Sequence, residues 1–222
     1  QYYYHFFLKE QPDLNWRNPE VVRAMMDVVR FWLDMGVDGF RMDAVGTIFE
    51  VDDLPAHISP FRSIDFLRNE VEIQLGQQRT VPEKEWERLF KYQVNLPEVH
   101  DIMREIRRVS DEYPDRVLIG ETADMTYLGQ GDDELHMVFN FDLLRDEPFS
   151  ANWIHKNLRL QYGNLPAGGW MANTLNNHDS TRAISRFDDG TAPMERAKLS
   201  AALMVLLEFT PFLYNGEEIG MS

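Results

Sequence analysis

The sequence has 222 residues, a net charge of −15, and 44% apolar and 12% aromatic content. That composition supports a sizeable buried core and excludes a disordered chain. The acidity argues against nucleic acid or an anionic membrane as the main partner, and zero cysteine excludes disulfides, thiolate metal sites and a cysteine nucleophile while suiting the cytoplasm.

The chain opens on Gln1 and Tyr2-Tyr3-Tyr4 without a methionine, and no signal peptide is visible. Asn18-Pro19 is a strong helix start, with Asn as the cap and Pro in the first turn. Val22, Met25, Met26, Val29, Trp32 and Leu33 then recur at helical spacing up to Gly36. A strand follows at Gly39–Asp43. The stretch from Val45 to Val94 is polar and mixed, with short helices expected near Ser63–Leu75 and Glu83–Tyr92. Pro97 opens a helix to about Tyr113, with Val99, Ile102, Met103 and Ile106 on one face. Strands are expected at Arg116–Glu121, Met137–Phe141, Met171–Leu175 and Pro211–Tyr214, and helices at Asn152–Leu160 and Met194–Leu207. The longest apolar run, Ala201–Leu207, falls far short of the ~20 residues of a membrane helix. The chain stops at Ser222 just after a glycine-containing turn. Both ends read as cut, which predicts a segment of a longer protein.

Alternating strands and helices predict parallel strands with crossover helices. A doubly wound sheet and a (β/α)8 barrel both fit. The doubly wound reading favours a glycine-rich phosphate loop, and neither G-x-G-x-x-G nor G-x-x-x-x-G-K-[ST] is present. Acids stand at three strand ends instead: Asp43, Glu121 and Asp179. Barrel enzymes place their chemistry at that end. Three carboxylates converging on one volume repel, which raises the pKa of one and leaves a general acid beside an ionised nucleophile. Glycoside hydrolysis requires that pair. The alternative is that these acids cap the helices that follow.

Five stretches make the chain resemble glycoside hydrolase family 13, the α-amylase superfamily, and within it the α-glucosidase and oligo-1,6-glucosidase branch. They are Gln11-Pro12-Asp13-Leu14-Asn15, Gly39-Phe40-Arg41-Met42-Asp43-Ala44, Ile119-Gly120-Glu121, Asn177-His178-Asp179 and Gly216-Glu217-Glu218-Ile219-Gly220-Met221. The resemblance implies strands four to eight of a (β/α)8 barrel, spanning 1–222, with a long insertion at about 45–95. It implies Asp43 as the nucleophile and Glu121 as the acid/base of a retaining mechanism. It implies Asp179 as the acid that grips sugar hydroxyls, and Arg41 and His178 as substrate-site residues. The implied substrate is a short oligosaccharide or disaccharide, with no cofactor, no metal and no membrane. A cytoplasmic location follows the habit of the branch.

Other readings stay beside these. Arg41 could be a structural ion-pair partner and His178 a core histidine. Glu217 and Glu218 are expected to shape a turn, Arg182 and Arg186 to form salt bridges, and Gln11–Asn15 to shape a loop. Phe6, Trp16, Phe49, Tyr127 and Phe141 are candidate sugar platforms. His5, His57, His100, His136 and His155 lack metal spacing such as H-E-x-x-H. The sequence also departs from the family. Gly46 and Thr47 replace the Lys-His that α-amylases usually carry, which argues against an endo-acting, calcium-dependent amylase. Ala44 resembles branch members that favour α-1,4 over α-1,6 bonds. The first family motif, the first three strands, the C-terminal domain and a sugar-gripping arginine lie outside the sequence, so an isolated segment is expected to be unstable. Three functions compete: an α-glucosidase; a transglucosylase or isomerase of the trehalose synthase, sucrose isomerase or amylosucrase type; and an inert binding subunit.

Overall fold

The computed structural model describes residues 3–74, 78–82, 84–144 and 148–222. Five short strands carry the fold: β1 (Gly39–Met42), β2 (Val117–Gly120), β3 (Met137–Asn140), β4 (Trp170–Asn173) and β5 (Thr210–Pro211). The helices are α1 (Pro19–Asp34), α2 (Ser63–Gln74), α3 (Lys84–Phe90), α4 (Glu98–Ser110), α5 (Ala151–Asn164), α6 (Ala183–Arg186) and α7 (Pro193–Leu206). Leu75 and Glu83, expected helix ends, lie outside the described residues. At the start of α1, Asn18 Oδ1 accepts the Glu20 N–H at 2.9 Å and Pro19 fills the first turn. In α4, Glu98 and Asp101 lie in the first turn and Arg107 and Arg108 in the last, each matched to the helix dipole.

The strands pair in parallel and in chain order, β1-β2-β3-β4-β5. Parallel neighbours need long crossovers, and here these carry the helices. Register then assigns faces. Arg41 pairs with Ile119, Ile119 with Met137, and Met137 with Trp170, so these four share one face of the sheet. Leu118, Val138 and Met171 lie on the other face and are fully buried. Leu118 and Val138 join Met26 and Leu33 of α1 and Val99, Met103 and Ile106 of α4 in one core. Each such side chain contributes about 1.5–3 kcal/mol of transfer energy. The Arg41 face is more open, with Trp170 44% exposed.

Gly39 allows β1 to lie this close to β2. A Cβ there would stand 1.9 Å from the Val117 carbonyl oxygen. Between β1 and β2, a smaller core gathers Phe66, Val81, Leu89 and Phe90, with Phe6, Phe61 and Val94 against it. Its buried Glu85 accepts from Ser59 Oγ at 2.9 Å and from Arg88 Nη1 at 2.8 Å. Leu143, Leu175, Ala183, Phe187 and Met204 form a third cluster.

The strands are shorter than the sequence predicts. Asp43, Glu121 and Phe141 lie just past the ladder, and Phe141 opens a 3-10 turn. β5 stops at Pro211, although the Phe212 N–H still bonds the Asn173 carbonyl at 2.8 Å.

Gly46 sits where a side chain has no room: a Cβ would meet Asn95 Oδ1 at 2.1 Å. That oxygen is not free to swing away, because it accepts the Tyr127 hydroxyl at 2.9 Å. Gly46→Ala should therefore destabilise the chain by about 1–2 kcal/mol through overpacking, read as a lowered urea midpoint at unchanged m-value. An unchanged midpoint would show that Asn95 moves aside freely.

Candidate active site

Alternation along β1 sends Arg41 and Asp43 to the same side, and the Glu121 N–H bonds the Met42 carbonyl at 2.8 Å, one step past the paired residues. This extra rung sets Glu121 beside Asp43. Arg41 then bridges them: Nη1 donates to Asp43 Oδ1 and Nη2 pairs with Glu121 Oε1. The two carboxyls also hydrogen-bond each other. The Ala44 N–H donates to Glu121 Oε2 at 3.0 Å. It can do so because Ala44 takes a left-handed backbone, φ 44° and ψ 44°.

The two acids occupy unlike surroundings. The Asp43 side chain is 75% exposed and that of Glu121 18%. Burial pushes the Glu121 carboxyl above its ordinary range, and its hydrogen bond to Asp43 adds to this. The hydrogen bonds from Glu121 and Arg41 hold Asp43 below its ordinary range. A proton on this pair therefore resides on Glu121, leaving Asp43 ionised.

A cleft of about 200 Å³ opens beside the pair, lined by Arg41, Glu121, Phe141, Asn177, His178 and Tyr214 among others. His178 is exposed, not a core histidine, and when protonated it helps hold Asp43 ionised. Its Nε2 lies 3.2 Å from Asp179 Oδ2. Of the three acids named from the sequence, Asp43 and Glu121 are bridged by Arg41. Among the described residues, the Asp179 carboxylate pairs with His178 and bonds neither Asp43 nor Glu121. Asp179 follows β4 by several residues on an irregular loop, where strand alternation no longer sets side-chain direction. Arg41, Asp43 and Glu121 are in direct contact, and Asp179 joins them through His178.

A family comparison bears on this geometry. The model of the α-amylase catalytic domain matches residues 1–222. The chain belongs to the α-amylase family.

The five parallel strands are accordingly part of that family's (β/α)8 barrel. The chain is 36% identical to an oligo-1,6-glucosidase of Parageobacillus thermoglucosidasius, over all of its own length and 39% of the relative's. It thus spans about two-fifths of the curated relatives it matches. Among solved structures, an α-glucosyl transfer enzyme, XgtA, superimposes with a TM-score of 0.79 at 33% identity, covering 100% of this chain and 40% of that one. The isomaltulose synthase SmuA from Protaminobacter rubrum gives 0.72 at 30% identity, covering 100% and 39%.

For this α-amylase-family chain, several residues named from the sequence take other places. Of the five aromatic candidates, Phe141 lines the cleft, stacked on Phe139 at 5.1 Å. Tyr127 and Phe49 are buried in the core, Trp16 packs against it, and Phe6 lies on Phe90. Glu217 and Glu218 accept the backbone N–H groups of Tyr214 and Gly216, shaping the turn. Asp13 accepts the Phe6 N–H at 2.6 Å, holding its loop. Arg182 donates to the Asn215 carbonyl at 2.9 Å and lies over the Tyr214 ring; this replaces the expected salt bridge. Arg186 donates to the carbonyls of Thr181 and Leu175. The sequence reading missed Tyr214, and it missed the Ala44 amide, which no side-chain pattern announces. Among the described residues, no group of three or more His, Asp or Glu is placed to hold a metal ion, and no helix is long and apolar enough to cross a membrane.

Proposed function

We propose that the protein carrying these residues is a retaining α-glucosidase acting on short oligosaccharides. Residues 1–222 would form part of its catalytic barrel, with an insertion at about 45–95. The observation that carries the reading is the Arg41-bridged pair of carboxyls, one driven toward its neutral form and the other held ionised. Asp43 is the nucleophile. Glu121 protonates the leaving oxygen and then, deprotonated, activates water. Direct contact between the two suits the short separation of retaining enzymes, about 5–5.5 Å, better than the 6.5–9.5 Å that leaves room for water in inverting ones. Arg41 orients Asp43, and His178 and Asp179 bind sugar hydroxyls. Ala44 favours α-1,4 over α-1,6 bonds, a discrimination of about 1–3 kcal/mol at most. On the same branch resemblance we take the reaction to be cytoplasmic.

The test is hydrolysis of 4-nitrophenyl α-glucoside beside Asp43→Ala, with maltose and isomaltose compared. Glucose released first as the α-anomer, and lost in the variant, supports the reading. Equal release by the variant or first release of the β-anomer sinks it. The rate should follow a bell in pH. It rises as Asp43 ionises, below the ordinary aspartate value of about 3.9, and falls as Glu121 loses its proton, above the ordinary glutamate value of about 4.3. A basic limb that survives Glu121→Gln would assign it to another group.

A second reading has specific support in the likeness to a glucosyl transfer enzyme and an isomaltulose synthase. The same covalent intermediate would then pass to a sugar. Chromatography of the products from sucrose and maltose separates the two: free glucose for hydrolysis, a rearranged or longer sugar for transfer.

A further inference from the structure

The turn after β1 and the turn after β2 carry the two carboxyls, and a residue from neither turn joins them. Asn95 lies between these strands in sequence, just before α4. Its backbone N–H donates to the Gly46 carbonyl at 2.8 Å, inside the turn after Asp43. Its Oδ1 accepts the Tyr127 hydroxyl at 2.9 Å, and its Nδ2 donates to Asp124 Oδ2 at 3.3 Å. Asp124 and Tyr127 belong to the turn after Glu121, where the Asp124 N–H bonds Thr122 Oγ1 at 3.0 Å.

Several features indicate more than a local turn. Asn95 has φ 55°, in the left-handed region that Asn tolerates, so its backbone and carboxamide face the two turns at once. Tyr127 is fully buried, and Asn95 is the hydrogen-bond partner of its hydroxyl; a buried hydroxyl left without one is costly. Gly46 has no Cβ, and the space is filled by Asn95 Oδ1. The pinned turn also holds the Ala44 carbonyl, through the Thr47 N–H at 3.0 Å and Thr47 Oγ1 at 2.9 Å. The amide of that same Ala44 grips Glu121 Oε2.

We infer that Asn95 is a positioning residue for the carboxyl pair: its backbone N–H holds the turn bearing Asp43, its side chain holds the turn bearing Glu121, and together they set the register of the two. This rests on the reading of Asp43 and Glu121 given above, and it assigns Asn95 no contact with substrate.

The experiment compares wild type, Asn95→Gly and Tyr127→Phe in the full-length protein that carries this sequence. Asn95→Gly keeps the left-handed backbone and removes the carboxamide. Tyr127→Phe removes only the hydroxyl. Carboxyl titrations of the pair are followed by 13C NMR, assigned with Asp43→Asn and Glu121→Gln. In Asn95→Gly the Glu121 midpoint should fall and that of Asp43 rise, approaching each other by about one pH unit. Tyr127→Phe should show the same change at smaller size. With 4-nitrophenyl α-glucoside, kcat should drop about 10–100-fold while KM stays within about threefold, the mark of misplaced reacting groups.

Unchanged midpoints in a folded Asn95→Gly overturn the inference. Loss of the cooperative melt in both variants does so too, by making Asn95 a folding residue. A wild type without glucosidase activity defeats the functional reading instead, and the titrations still decide the role of Asn95.

Discussion

Replacing Glu121 by glutamine is expected to lower kcat for maltose by about 10³-fold, the middle of the range for general acid–base catalysis. That factor corresponds to about 4 kcal/mol of transition-state stabilisation. The amide keeps the size of the carboxyl and can still accept from the Ala44 N–H, so the site should stay assembled. What it loses is the proton that burial and Asp43 hold on Glu121. The substrate dependence makes this prediction specific. A nitrophenolate leaves without help from an acid, so glucosyl transfer to Asp43 from 4-nitrophenyl α-glucoside should suffer far less. The later hydrolysis needs Glu121 as base for either substrate, so a burst of nitrophenol should appear before a slow steady state. Equal losses on both substrates with no burst would mean that Glu121 is not the acid.

The second large effect concerns stability. Glu134 is 1% exposed, yet it is an acid. Arg104 Nη1 donates to Oε1 at 2.7 Å, His100 Nδ1 lies 2.8 Å from Oε2, and Arg107 Nη1 donates to its carbonyl at 3.1 Å. Removing one partner of a buried pair costs about 3–5 kcal/mol, because the remaining charge stays out of water. Arg104 is partly exposed and His100 remains, so Arg104→Met should cost less, about 2 kcal/mol. Urea unfolding reads it directly. Adding Glu134→Leu to Arg104→Met should recover part of the loss, since the double change leaves no buried charge. A double variant as unstable as the sum of its parts would rule out this account.

Much of the fold was legible in the sequence, because strong signals act locally. Asn18-Pro19 set the start of α1, and the apolar positions of α4 named the residues that the core buries. The strands that carry Asp43 and Glu121 were found, but each was drawn too long. Extended residues continue past the last paired rung, and propensity alone does not show where the partner strand ends. The one-turn helix at Ala183–Arg186 is too short to show a period. At the site, strand alternation correctly put Arg41 and Asp43 on one side. It could say nothing of Asp179, which lies on a loop. Nor could it find the left-handed turn of Ala44, because alanine carries no preference for that conformation.

The strand order has a consequence for how the chain is made. Each strand from β2 to β5 pairs with the one synthesised before it. A nascent chain leaving the ribosome can therefore add one strand at a time to a growing edge, without holding an unpaired strand for a distant partner. The longest interval between neighbouring strands is that from β1 to β2, during which residues 43–116 emerge. At about 5–20 residues per second, that delay lasts several seconds. The small core of Phe66, Val81, Leu89 and Phe90 lies within this interval. It gives the intervening segment its own place to collapse, which shortens the loop left to close when Glu121 comes to rest beside Asp43.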